Sequence, residues 1–155
     1  MTMFGRFRRS DGGGAIVELA LALPLLVAVM AGTVDFARVY YASIALQNAA
    51  RAGAQYGAHS LGQSGDFPGM RTRAMNSIVP NTGVDATASR TCVCATNAGV
   101  FGSAVACSTT CPSGQHLVVT VTVTATRTFN TVMSGIPGIP ASVNLSRSAT
   151  LRVVN

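Results

Sequence analysis

The longest apolar run of the chain lies near its N-terminus, where residues 19–34 carry no charge. Counting back to Gly14 adds a single acidic residue, Glu18, and gives about 20 mostly apolar residues, enough for a helix to cross a membrane. Three arginines precede the run: Arg6, Arg8 and Arg9. By the positive-inside rule they predict a cytoplasmic N-terminus, with everything after the run exported. We therefore predict a transmembrane helix over residues 14–41.

The helical pattern continues beyond the apolar run. Small residues recur at helical spacing from Ala42 to Ala58, and polar residues take the opposite face. The predicted helix thus runs from about Ala15 to about Ala58, roughly 65 Å at 1.5 Å per residue, which exceeds the thickness of a membrane. Residues 42–58 are predicted to form a helical stalk. Its small-residue stripe is expected to pack on the chain's own C-terminal domain, against neighbouring subunits, or on both at different depths.

A cleaved secretory signal is the main alternative for the apolar run. The basic start and the apolar core fit such a signal, and Val29-Met30-Ala31 before Gly32 offers a small-residue cleavage site. Against cleavage, the helical pattern passes Gly32 without a breaker, and Asp35 and Arg38 are spaced to pair at i, i+3. A second alternative is an uncleaved single-span protein that keeps its arginine-rich start.

The C-terminal part of the chain shows the two-residue period of β-strands. Residues 116–129 give the clearest strand, with leucine, valine and alanine on one face and threonine on the other. Weaker alternation predicts strands over 84–93 and 143–153, and a short helix is predicted over 70–79. Together these elements predict an α+β fold, in which the long helix packs on a small antiparallel sheet of about three strands. Residues 59–155 are predicted to form this β-rich domain outside the cytoplasm.

Four cysteines fall within one stretch of this domain: Cys92, Cys94, Cys107 and Cys111. Structural zinc sites favour Cys-x-x-Cys pairs, and the spacings here are Cys-x-Cys and Cys-x-x-x-Cys. An even number of cysteines in a small exported domain indicates disulfides. The spacing leaves two pairings open. The nested one joins Cys92 to Cys111 and Cys94 to Cys107, and the crossed one exchanges these partners.

Charge and composition argue against nucleic-acid binding and catalysis. The formal net charge is +6, but the 11 basic residues are scattered arginines without an arginine-rich helix or an aromatic RNA-binding signature. The two histidines, His59 and His116, lie far in sequence from any pair of carboxylates, and no Gly-x-Ser-x-Gly elbow occurs. We therefore predict no catalytic residue, no cofactor, no metal site and no nucleic-acid partner.

The N-terminal third of the chain resembles the TadE-like family, the pseudopilins of the tight-adherence (Tad) pilus system. Four segments carry the resemblance, the last more weakly than the others: residues 13–24, 35–38, 47–54 and 149–153. Leu19 departs from the family pattern, which often places an aromatic residue after the glutamate.

The resemblance implies processing by a prepilin peptidase, which cuts after a glycine at the cytoplasmic face and leaves a glutamate at the fifth position of the product. A cut after Gly13 would remove residues 1–13 as a leader and make Gly14 the first residue and Glu18 the fifth. In lipid, the new ammonium group and the Glu18 carboxylate are each costly alone and much less costly as a pair. Glu18 of one subunit is therefore expected to meet the Gly14 amine of a neighbour.

The resemblance also implies a minor pilin or pseudopilin that takes part in the assembly or initiation of a Tad-type pilus. The implied partners are other pilin or pseudopilin subunits, prepilin peptidase, an inner-membrane assembly platform and membrane lipid. The implied location is the bacterial inner membrane, with a cytoplasmic N-terminus and a periplasmic domain, or the extracellular pilus. A secreted soluble adhesive domain and an uncleaved envelope scaffold protein remain the alternatives.

Overall fold

The computed structural model describes residues 12–132 and 140–154, so the predicted leader lies outside the described residues except for Gly12 and Gly13. The chain forms a long helix, a 3-10 turn, a short helix and four strands: α1 (Gly12–Ala58), the turn (Gln63–Gly65), α2 (Phe67–Asn76), β1 (Val84–Thr96), β2 (Phe101–Val105), β3 (Gln115–Asn130) and β4 (Ser142–Arg152). All neighbouring strands pair antiparallel, in the order β2-β1-β3-β4.

The predicted α+β class is confirmed, because the long N-terminal helix packs on a small antiparallel sheet. The described part of the sheet has four strands rather than about three. The additional strand, β2, is short and exposed along almost its whole length. It therefore lacks the alternation of buried and exposed positions from which a strand is recognised in sequence.

The last third of α1 packs on the rest of the molecule through small and apolar side chains. Six buried residues form this stripe: Leu46, Ala49, Ala50, Gly53, Ala54 and Gly57. A Cβ added at Gly53 would lie 2.7 Å from the Met70 carbonyl oxygen, so glycine is what allows α2 to approach α1 this closely. The stripe therefore packs on the chain's own domain, one of the arrangements that the sequence left open.

The core of the domain lies between α1 and β3. Four side chains of β3 are buried on the face that meets α1: Val119, Val121, Val123 and Ala125. The threonines between them lie on the opposite, more open face, because successive strand residues alternate between faces. The face assignment made from the sequence pattern is thus the one the structure has.

The short helix α2 is Phe67–Asn76, shifted from the predicted 70–79. Its start is set by Asp66, whose side chain accepts a hydrogen bond of 2.9 Å from the Gly69 backbone N–H and so caps the helix. Pro68 lies in the first turn, where a helix needs no N–H donor. The prediction assigns both Asp66 and Pro68 to the preceding loop.

Candidate assembly site on the N-terminal helix

The N-terminal half of α1 stands clear of the domain. Every side chain from residue 14 to residue 30 is exposed, including large apolar ones such as Leu21 at 76%. Among the described residues, α1 is the one helix long and apolar enough to cross a membrane. A continuous apolar surface of this size marks a contact with lipid or with other chains.

Gly14 and Glu18 lie one helical turn apart on this bare segment. Residues four apart lie on one face of a helix, so Gly14 and the Glu18 side chain lie on the same face of α1. Glu18 is the only charged residue between residues 14 and 34, and in the described part of the chain it has no hydrogen bond or ion pair. The carboxylate is therefore available to a group from another chain. Gly13 directly precedes Gly14 within α1.

Asp35 lies where the bare half of α1 meets the domain. The residue is buried, at 9% exposure, and both of its side-chain oxygens accept a hydrogen bond from the Val132 backbone N–H, at 3.1 and 3.0 Å. Arg38 Nη1 lies 3.5 Å from Asp35 Oδ1, which confirms the i, i+3 pair predicted from sequence. Hydrogen bonds to a charged acceptor are stronger than neutral ones. Asp35 therefore ties α1 to the end of β3.

The contact between Asp35 and Val132 was not predicted from the sequence. It joins residues that lie 97 positions apart, and no local pattern reports such a contact. One signal points to it in retrospect. A carboxylate directly after an apolar run is costly to bury unless it is hydrogen-bonded, so a buried Asp35 requires donors from elsewhere in the fold.

A groove of about 600 Å³ opens just beyond Asp35, between α1, the connection from α2 to β1 and the end of β3. Most of its lining is apolar, with Ile44 and Val79 exposed at its surface. Arg38 and Arg127 also line it. The guanidinium carbon of Arg38 lies 5.1 Å from the centre of the Phe129 ring, within the range of a cation–π interaction. The groove thus combines apolar walls with positive charge.

The four cysteines form two disulfides in the structure. Cys92 pairs with Cys107 and Cys94 pairs with Cys111, which is the crossed arrangement. Because their thiols are joined, none of these sulfurs can supply the thiolate that a zinc site needs. Elsewhere in the described ranges, no group of three histidine, cysteine or acidic side chains is placed to hold a metal ion.

The position of β2 accounts for the crossed pairing. β1 lies between β2 and β3 in the sheet, so residues 106–114 must pass across β1 to connect them. Val105, just before this connection, pairs with Cys92, and Gln115, just after it, pairs with Thr96. The connection therefore starts beside Cys92 and ends beside Thr96. Cys92 and Cys94 share one face of β1, because alternate strand residues point the same way. The first cysteine of the connection therefore reaches Cys92, and the second reaches Cys94.

A polar contact holds α2 against α1 beside the buried stripe of small and apolar residues on α1. The Tyr56 hydroxyl donates a hydrogen bond of 2.7 Å to Asp66 Oδ2, while Asp66 Oδ1 accepts the bond that caps α2. The hydrogen bond from Tyr56, and next the one from the Gly69 N–H, lower the pKa of Asp66. The same contact raises the pKa of Tyr56. The pair therefore stabilises the junction between the two helices while Asp66 is ionised and Tyr56 is protonated.

The two histidines lie apart from one another and from the helix junction. His59 is exposed directly after α1, and His116 is exposed at the start of β3. The His116 Nε2 atom lies 3.5 Å from the Arg152 Nη2 atom. Neither histidine is paired with a carboxylate among the described residues.

These features define a class of protein, in which one long helix carries a small disulfide-linked α+β domain and leaves its apolar N-terminal half bare. Residues 13–55 match the family model described as TadE-like protein, which spans most of α1 and includes Glu18 and Asp35. The resemblance seen in the sequence is therefore confirmed for this helix. Comparisons with curated proteins and with solved structures gave no match.

Proposed function

We propose that the protein is a minor pilin or pseudopilin that acts in the assembly or initiation of a Tad-type pilus. The observation that carries the proposal is the bare apolar half of α1, with Glu18 as its lone charge, inside the segment that matches the TadE-like family. Its role is structural and not catalytic, because what the chain offers is a packing surface. Its partners in this role are other pilin or pseudopilin subunits and an inner-membrane assembly platform.

The proposal includes processing by a prepilin peptidase between Gly13 and Gly14. Gly14 is exposed near the start of α1, and a Cβ at this position would have no atom within 4 Å, so the domain does not obstruct it. Cleavage there removes residues 1–13 and keeps the apolar half of α1. The product stays anchored in the inner membrane with its domain in the periplasm, until it enters a pilus.

Glu18 is the group that recruits the processed subunit. Cleavage places an ammonium group on Gly14, and this group and the Glu18 carboxylate are both costly in hydrocarbon when unpaired. When a neighbouring helix is offset along the common axis, its Gly14 amine lies beside Glu18 and both charges are compensated. Because only one carboxylate exists on this surface, the pair also fixes the register between the helices.

The substitution Glu18→Gln tests this role, because it keeps the size of the side chain and removes its charge. The control is Thr33→Ala, another exposed polar position of α1, whose hydroxyl donates a hydrogen bond of 2.7 Å to the Met30 carbonyl of its own helix. In native cells, Glu18→Gln is expected to insert into the membrane normally but to lose co-purifying pilin subunits, while Thr33→Ala keeps them. Wild-type recovery of pilin subunits with Glu18→Gln would contradict the proposal.

A further inference from the structure

The groove beyond Asp35 lies at the level of the lipid headgroups if α1 spans a membrane. Residues 14–34 measure about 30 Å along the helix, the thickness of the hydrocarbon layer. The first groove residue on α1 is Ala37, about 5 Å further along the axis. The groove therefore opens where phosphate groups and the upper parts of acyl chains are found.

The surface of the groove suits this depth. Tyr41 is 75% exposed and Val79 is 92% exposed, on opposite sides of the groove. Tyrosine favours the membrane interface, because its ring is apolar and its hydroxyl is polar. Side chains this apolar are poorly placed in water, and the volume of about 600 Å³ lies in the range of small-molecule sites. An amphipathic ligand meets both requirements.

The charge of the groove selects an anion. Arg127 lines it and is half-buried, yet within the described residues its guanidinium group has no hydrogen bond and no ion pair. No buried side-chain nitrogen or oxygen of the described residues lacks a partner, so the unpartnered N–H groups of Arg127 are accessible, and a phosphate can accept two of them at once. Arg38 adds a second positive charge, offset in part by Asp35. Among the residues that the structure describes, no carboxylate belongs to the lining itself.

We infer that this groove binds an anionic phospholipid, with the phosphate on Arg127 and the upper acyl chain along Tyr41 and Val79. The inference rests on the proposed function, since it takes α1 to span a membrane. A bound lipid would hold the domain at a fixed height above the bilayer before the subunit is assembled. The helix of a second copy fits the groove less well, because the bare half of α1 brings a single carboxylate and no phosphate.

The test uses the full chain in nanodiscs with equal parts of phosphatidylglycerol and phosphatidylcholine, and native mass spectrometry counts the lipids that the protein retains. The wild type is expected to retain phosphatidylglycerol in preference. Arg127→Gln is expected to lower this retention about fivefold, the effect of one arginine near an anionic lipid surface. The control Arg147→Gln is expected to have no effect, because Arg147 is exposed on β4, outside the groove, and bonds to the Ser146 carbonyl.

Arg127→Lys separates loss of charge from loss of folding, since it keeps the charge and is expected to retain more phosphatidylglycerol than Arg127→Gln. Equal retention by Arg127→Gln and wild type would overturn the inference. Equal losses in Arg127→Gln and Arg147→Gln, or a protein dimer without lipid, would overturn it as well. Carbonate extraction distinguishes the two proposals. A protein released from membranes refutes the spanning helix, whereas an inserted protein without lipid preference refutes only the groove.

Discussion

Replacing Asp35 with alanine is expected to loosen the junction between α1 and the domain. In the wild type, the Val132 N–H donates to both Asp35 oxygens, at 3.1 and 3.0 Å, and Arg38 lies 3.5 Å away. The substitution removes the acceptor and leaves a part-buried N–H unpaired. Val132 is 64% exposed, so water can reach its N–H in the variant, and the expected loss is the net value of a hydrogen bond to a charged group.

The magnitude follows from the burial of each partner. A hydrogen bond to a charged group contributes about 1.5–3 kcal/mol. The Arg38 side chain is 49% exposed, so its ion pair adds only about 0–1 kcal/mol. The two contacts together give a loss of about 1.5–4 kcal/mol in the free energy of unfolding. For a domain of this size, that corresponds to a fall in Tm of about 5–15 °C.

The assay is thermal unfolding of the full chain in detergent, with Asp85→Ala as the matched control. Asp85 also pairs with an arginine, Arg71 at 3.1 Å, and accepts a hydrogen bond of 2.8 Å from the Ala86 N–H, but the Asp85 side chain is 67% exposed, so the fall in Tm is expected to be smaller. Asp35→Asn keeps an oxygen acceptor for the Val132 N–H, so its Tm should lie between those of Asp35→Ala and Asp85→Ala. A Tm of Asp35→Ala no lower than that of Asp85→Ala would refute the reasoning.

Two further predictions concern the junction of α1 and α2. Gly53→Ala would place its Cβ 2.7 Å from the Met70 carbonyl oxygen, so overpacking of about 1–3 kcal/mol outweighs a helix-propensity gain of about 1 kcal/mol. Denaturant unfolding should show a net loss of stability for Gly53→Ala. Gly62→Ala should be neutral, because its Cβ would meet Ser60 Oγ at an ordinary contact distance of 3.9 Å. Equal stabilities of the two variants would contradict the packing argument. Tyr56 lowers the pKa of Asp66 below 3.8, so their contribution is present above pH 3.8 and is lost as the pH falls through the lower folded value. As the pH is lowered, the free energy of unfolding of Tyr56→Phe should therefore fall less than that of the wild type. Parallel curves of stability against pH for the two proteins would contradict this role of the Tyr56–Asp66 pair.

The elements that local patterns define could be predicted from the sequence. The end of α1 at Ala58 follows from the helical spacing of small residues, which stops at the glycine- and serine-rich segment after it. β3 follows from strict alternation of valine and threonine, and the observed Gln115–Asn130 extends the predicted strand by one residue at each end. Both patterns arise because one face of the element is buried. Such a pattern can be read within the element's own sequence, without knowledge of the rest of the fold.

The contacts between distant segments could not be predicted. The disulfide pairing depends on the chain crossing β1 after β2. Strand β2 could not be predicted, because it lacks an alternation of buried and exposed residues. The bond from Val132 to Asp35 and the half-buried Arg127 depend on how the end of β3 meets α1. Glu18 could be identified from the sequence, through the family resemblance and through the cost of a charge in lipid. Neither argument needs knowledge of the fold.

The central claim is that the protein is a processed subunit that keeps its apolar helix. It is tested most directly by the mass of the intact protein isolated from the membranes of its own cells, together with fragmentation that reads the N-terminus. The account predicts a chain that begins at Gly14 and retains Glu18. A chain that begins at Gly32 would contradict it and indicate a secreted soluble domain, and a chain that begins at Met1 would contradict the processing and indicate an uncleaved anchor.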